Sequence, residues 1–129
     1  MSAFSDALSV TAAGLKAQAT RLRLVSENIA NVDTPGFHRK TAPFKVDRTD
    51  GALDLVETGR VQLDRSELEK IYDPAHPLAD ETGNYEGSNV DLVIEIADAR
   101  EAQRSYEANL KMFDQTRQMS SSLMELLRR

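Results

Sequence analysis

The side chains able to do chemistry are few and poorly spaced for it. Only His38 and His76 offer imidazoles, and no HExxH or comparable spacing ties either one to a second ligand. His76 lies in Tyr72-Asp73-Pro74-Ala75-His76-Pro77-Leu78-Ala79-Asp80, where two carboxylates flank the ring as they would in a metal site. Pro74 and Pro77 restrict the backbone on both sides of it. Tyr72, Asp73, Pro74, His76 and Pro77 are therefore read as a rigid turn, with metal binding as the lesser alternative. Asp91, Glu95, Asp98 and Glu101 would fall on neighbouring faces of a helix, as an acid and base pair of carboxylates requires. Nothing near them in sequence would bury them and raise a pKa, so they are read as a solvated face. Ser120-Ser121-Ser122 has no GxSxG setting, and six scattered glycines form no phosphate-cradling loop. Met112, Met119 and Met124 are read as adaptable packing at a helix interface. No enzymatic activity, metal or cofactor is expected.

Composition narrows the class further. A chain of 129 residues holds one core at most, and its 40% hydrophobic residues include only 5% aromatics and no Trp. Such a core is built from Leu, Val, Ile and Ala, which argues against a tightly packed β-sandwich. The formal charge of -5 has the wrong sign for nucleic acid or an anionic membrane surface. No run approaches the roughly 20 apolar residues that span a bilayer, so direct membrane insertion is not expected. Without cysteine there are no disulfides, thiolate metal sites or cysteine nucleophiles. Asp6 precedes any Lys or Arg, unlike the basic leader of a cleaved Sec signal, so any export is expected to use another route.

The elements that would position these groups divide the chain in three. Residues 2 to about 33 contain no proline and one glycine, Gly14, and Leu8, Leu15, Leu22 and Ile29 recur every seven residues. That spacing predicts one amphipathic helix, capped at Ser2 or Ser5. It ends with Asn31 in a left-handed turn and Pro35-Gly36 at the centre of a type II turn. Residues 36–89 carry five of the six glycines and three of the four prolines. Short strands are expected at Ala42 to Val46, Leu53 to Glu57, Arg60 to Leu63 and Leu68 to Tyr72, joined as small hairpins and loops. Residues 90–129 contain neither Gly nor Pro and predict a second helix, with Ser88 and Asp91 as a capping box. Leu92, Ile96, Ala99, Ala102, Tyr106, Leu110, Phe113, Thr116, Leu123 or Met124, and Leu127 mark its apolar line.

Both lines repeat near 3.5 residues and are narrower than the apolar face of a globular helix. The helices would run roughly 40 Å and nearly 60 Å at 1.5 Å per residue, so the shorter cannot cover the longer. The expected architecture is mainly α: long amino- and carboxyl-terminal helices (residues 1–35 and 90–129) pair as an extended coiled-coil-like hairpin. Residues 36–89 form a small β-rich middle segment, and the whole is one structural unit. Leu8, Leu15, Leu22, Ile29, Leu92, Ile96, Tyr106, Phe113 and Leu127 are the expected assembly seam, with other copies of the chain as cover. The middle segment holds seven basic and eleven acidic side chains, so most of the net charge sits there.

One segment asks for more than packing. Ser26-Glu27-Asn28-Ile29-Ala30-Asn31 places two asparagines in a last helical turn, ahead of Thr34-Pro35-Gly36-Phe37. Asn is a mediocre helix former, and a plain cap needs only one. This run resembles the amino-terminal signature of the bacterial flagellar axial proteins, the family of rod and hook subunits. The motif residues are Ser26, Asn28, Ile29, Ala30, Asn31, Thr34, Gly36 and Phe37. The turn at residues 72–80, Asn89-Val90-Asp91 and Arg104-Ser105-Tyr106-Glu107-Ala108-Asn109 are similar to the proximal rod members of that family.

The resemblance implies a non-enzymatic subunit of the basal-body rod in the periplasm. It implies export unfolded through the flagellar type III apparatus and helical polymerisation through the terminal helices into a hollow drive shaft. Its implied partners are copies of itself, the other proximal and the distal rod subunits, and the adaptor at the base of the rod. It also places Asn28, Asn31, Thr34 and Gly36 where the first helix hands over to the outer segment, with Arg104, Tyr106 and Asn109 on the partner helix. The competing reading is a soluble coiled-coil binding module, such as an export chaperone or regulator.

Overall fold

The computed structural model describes residues 2–48 and 53–128, and the expected cap at Ser2 falls at its edge. Two helices frame three small antiparallel ribbons. Helix α1 spans Ser2–Ala30 and helix α2 spans Leu92–Leu127. Between them come β1 (Lys40–Thr41), β2 (Phe44–Asp47), β3 (Leu55–Thr58), β4 (Gln62–Leu63), β5 (Lys70–Tyr72) and β6 (Asn84–Glu86). The architecture is mainly α with a β-rich middle.

α1 and α2 pack antiparallel, as three contacts spread along them show. A Cβ at Gly14 would lie 2.8 Å from Asn109 Oδ1. Arg21 reaches Asp98 and Glu101, and Asn28 meets Glu95. The line they share differs from the one the heptads suggest. Fully buried on α1 are Ala17, Leu24, Val25 and Asn28, with Gly14; on α2 they are Glu95 and Ala102. Leu8, Leu15, Leu22 and Ile29 are half-buried, one step round the helix from that line. Small residues let the backbones approach, and the bulkier Leu side chains flank them. Gly14 is the case in point: it gives up helix propensity, yet any side chain there would displace the Asn109 amide from its hydrogen bond to Ser105 O.

The ends of the helices differ from the sequence expectation in three ways. Ser5 lies inside α1 and does not cap it. Asn31 is not left-handed; only Gly36 and Gly83 have positive φ among the described residues. α1 instead tightens through bonds from Asn31 N to Asn28 O and from Val32 N to Ile29 O. The Pro35-Gly36 turn does form as expected: Gly36 has φ +74, and Phe37 N donates to Thr34 O at 3.2 Å. α2 is capped by Asp91, whose Oδ1 accepts from Val93 N and Ile94 N. Ser88 is not part of a capping box, because its hydroxyl donates to Val32 O.

β1 to β4 make one long interrupted hairpin. Lys40↔Leu63 and Thr41↔Gln62 pair at its base, and Phe44↔Thr58 to Asp47↔Leu55 pair beyond it. Pro43 breaks the expected strand Ala42 to Val46, since it has no N–H to give the ladder. Gly59 N bridges the gap by donating to Pro43 O at 2.7 Å. The second ribbon pairs Lys70↔Glu86 through Tyr72↔Asn84. Its return strand, Asn84–Glu86, has a single apolar residue between Gly83 and Gly87 and left no alternating pattern to read. The expected strands Leu53 to Glu57, Arg60 to Leu63 and Leu68 to Tyr72 all begin two residues late, where their partners begin.

Candidate functional site, a polar joint between helices and hairpins

The two asparagines of the motif hold the exit from α1. Asn28 is 1% exposed, and its amide pairs with the backbone of Lys40 in both directions: Lys40 N donates to Oδ1 at 2.8 Å and Nδ2 donates to Lys40 O at 2.9 Å. One side chain thus acts as the strand neighbour that β1 lacks on that side. Asn31 Nδ2 donates to Glu27 O at 2.8 Å, while its Oδ1 accepts from Thr34 Oγ1 at 3.0 Å. That hydroxyl links the helix end to the Pro35-Gly36 turn. Gly36 N then donates to Gly87 O at 3.0 Å, which fastens the turn to the second ribbon.

Charges complete the joint. Glu95 is 0% exposed and accepts from Arg39 Nε and, at 3.5 Å, from Asn28 Nδ2. Arg39 Nη2 also reaches Asp98 at 3.0 Å, and Arg21 Nη2 lies 3.5 Å from Asp98 and 3.4 Å from Glu101. The guanidinium of Arg39 therefore ties the segment after the turn to the first turns of α2. This overturns the solvated-face reading of Glu95 and Asp98. The signal missed was the basic pair Arg39-Lys40 just after the Pro-Gly turn, which has to find carboxylates as the chain folds back. Lys40 Nζ sits 3.2 Å from Glu27, and that hydrogen bond holds the Glu27 carboxyl below its usual range.

Asn89 makes the last stitches. Its Oδ1 accepts from Arg39 N at 2.6 Å and its Nδ2 donates to Asp64 O at 2.8 Å. His38 donates from Nδ1 to that same carbonyl at 3.0 Å, since a carbonyl can only accept. The Asp64 carboxyl is held low by the backbone N–H of Ser66. A hollow of about 440 Å³ opens beside the joint, lined in part by Leu24, Val25, Phe44, Arg21 and Arg39. Of its ionic groups, Arg21 pairs with Asp98 and Glu101, Arg39 with Asp98, and Lys40 with Glu27.

The other residues singled out lie elsewhere. Ser26 and Ala30 are exposed on α1, with Ile29 and Phe37 half-buried. The 72–80 turn is ordered by its own backbone: His76 N donates to Asp73 O, and Leu78 N donates to His76 Nδ1 at 3.1 Å. The imidazole stacks on Tyr85 at 3.9 Å between ring centroids, while Tyr72, Asp73, Pro74 and Pro77 are exposed. Among the described residues no cluster of His, Asp and Glu is placed to hold a metal ion. Asp80 anchors the loop that follows, its carboxyl held low by the Thr82 hydroxyl and the Asn84 N–H. Tyr106 and Phe113 are half-buried on α2, whereas Leu92, Ile96 and Leu127 are exposed.

Comparison with known proteins coincides with this geometry. Residues 8–38, which include the asparagine motif, match the family described as flagella basal body rod protein. Residues 81–126, which include Glu95 and Asp98, match the family described as flagellar basal body rod FlgEFG protein C-terminal. The chain is 42% identical to the flagellar basal-body rod protein FlgC of Agrobacterium fabrum, covering 99% of this chain and 98% of the relative. It is 34% identical to the FlgC protein of Aquifex aeolicus, covering 93% and 94%. With that of Borreliella burgdorferi it shares 33%, over 98% and 99%.

Proposed function

The chain belongs to the flagellar basal-body rod protein family and is a structural subunit of the rod; from that premise we propose how it builds the rod. The subunit polymerises helically, its terminal helices pair in coiled-coil fashion with those of neighbours, and the resulting hollow shaft transmits torque. The assembly seam is Leu8, Leu15, Leu22 and Ile29 on α1 with Leu92, Ile96, Tyr106, Phe113 and Leu127 on α2. The observation that carries this is where the large apolar side chains lie. The line between α1 and α2 buries Gly14, Ala17, Leu24, Val25 and Ala102 with the polar Asn28 and Glu95, while Leu92, Ile96, Leu110, Leu123 and Leu127 stay exposed. A lone soluble helix pair would put such residues between its own helices.

The polar joint then has a mechanical role. Asn28, Arg39 and Glu95 lock the middle segment, residues 36–89, at one angle to the helices, so force passing along the helices also moves the outer face. The subunit works in the periplasm, reaches it through the type III apparatus, and catalyses nothing. Its neighbours are its own copies, the other proximal and distal rod subunits and the basal adaptor. A soluble coiled-coil chaperone or regulator is not favoured. Replacing Leu15 or Phe113 with Asp tests the proposal: synthesis continues, but rod assembly and swimming are lost. Normal swimming in either variant contradicts it.

A further inference from the structure

We propose that the second ribbon and its turn, within residues 64–91, form a docking face for a basic surface of a different protein. The inference stands apart from the rod reading, since it concerns what the middle segment binds. An exposed apolar ridge marks the face: Tyr72 is 72% exposed and Leu78 62%, with Pro74 and Pro77 exposed beside them. The ridge is held in place from below. Gly83 has φ +83, and a Cβ there would lie 2.9 Å from Tyr72 Cε2 and 3.0 Å from Pro74 Cγ, so both rings rest on bare backbone. His76 stacks on Tyr85, and Asp80 Oδ1 accepts from Thr82 N, Thr82 Oγ1 and Asn84 N, which fixes the turn around them. A preformed surface of this kind loses little side-chain freedom on binding, and an exposed Tyr at its centre is a typical anchor of protein contacts.

Charge selects the occupant. Residues 64–91 carry eight acidic and two basic side chains, a net of -6, against -5 for the whole chain. The rest of the chain is therefore +1. None of the eight carboxylates has an ion-pair partner among the described residues, whereas Glu27, Glu57, Glu95 and Asp98 elsewhere each meet a Lys or Arg. At the foot of the ridge a hollow of about 460 Å³ opens beside Leu78 and the Pro35-Gly36 turn, with Asp80 and Glu86 against Lys70 as its charged lining. The side-chain hydrogen bonds of Asp80 all reach Oδ1, which leaves Oδ2 to take a Lys or Arg from outside. A second copy is a poor match. Its unpaired bases on one face of α2, Arg100, Arg104 and Lys111, share that face with Glu107 and amount to only +2. Two of these acidic faces repel each other, as does any anionic surface. The occupant is a different protein whose contact surface carries excess Lys and Arg around an apolar recess.

The test places the photo-crosslinking residue p-benzoylphenylalanine at position 72 or 78 of the full chain and irradiates whole cells. An adduct with a protein other than this chain is expected, and its linked peptide, sequenced by mass spectrometry, should carry more Lys and Arg than Asp and Glu. Adducts only between copies of this chain, a linked peptide without that basic excess, or no protein adduct from either position overturns the inference. Charge is tested separately at Glu69, Glu81 and Glu86, whose side chains make no hydrogen bond or ion pair among the described residues, so the fold does not depend on them. Glu69→Lys, Glu81→Lys and Glu86→Lys together bring residues 64–91 to zero net charge and are expected to lower the adduct yield severalfold. The three Glu→Gln changes should give an intermediate yield, and equal yields from all three forms overturn the charge selection. Neither readout depends on where in the cell the chain sits, so failure here leaves the rod reading standing.

Discussion

At the scale of single residues, the joint depends on groups that cannot be removed one at a time. Arg39→Met leaves Glu95 buried without its cation, a change expected to cost about 3–5 kcal/mol. Adding Glu95→Leu should recover much of that loss, because it removes the stranded charge. Urea unfolding of both variants checks the pair, and a double variant no better than the single contradicts the ionic account. Asn28→Ala frees both Lys40 backbone groups in a buried setting and should cost about 2–4 kcal/mol, since each lost partner is worth roughly 1–3. Asp80 carries the acid sensitivity of the 72–84 turn. Its carboxyl pKa is lowered by the Thr82 hydroxyl, so its contribution is full above the ordinary Asp range and is lost as pH falls through the lowered value. Amide exchange at Thr82 and Asn84, corrected for intrinsic rates, should therefore speed up in acid and stay level from pH 5 to pH 7.

At the scale of elements, two glycines serve different purposes and should respond differently to substitution. Gly36 has φ +74 with open space where a Cβ would stand. Gly36→Ala should therefore cost only the backbone term, about 1–2 kcal/mol, without moving neighbours. Gly14 lies within α1 against Asn109. Gly14→Leu should wedge the helices apart at about 1–3 kcal/mol of overpacking and raise exchange along the line from Ala17 to Ala102. Both effects are measurable by unfolding and amide exchange; equal responses would contradict the assignment.

The helices, the Pro35-Gly36 turn and the β-rich character of the middle were legible in the sequence, because periodicity and breakers act locally. The line between α1 and α2 was not. Gly14, Ala17 and Asn28 carry little apolar signal, and the heptad of Leu residues pointed one step to the side, although Ala102 did lie on the expected apolar line of α2. Glu95 was unreadable for a related reason: its partner Arg39 is distant along the chain, and only the fold brings them together. Asn28 stood out by its type and spacing, and its partners proved to be the Lys40 backbone and Glu95 of α2.

At the scale of the whole molecule, α2 extends about 54 Å at 1.5 Å per residue against about 43 Å for α1, and its exposed apolar tip is cover for something else. In the isolated chain, amides around Leu24, Val25 and Ala102 should be protected far longer than those beyond Leu123. Incorporation into the rod should slow exchange at the tip. Residues from both helices meet at one joint, so removing either helix should release the middle segment as well. The most direct test of the structural role is to purify basal bodies from the wild type and from a strain lacking this chain. The account predicts the chain in wild-type basal bodies and no completed rod in its absence. Intact rods in the deletion strain, with the wild-type chain recovered as a stable helical dimer in the cytoplasm, would contradict it.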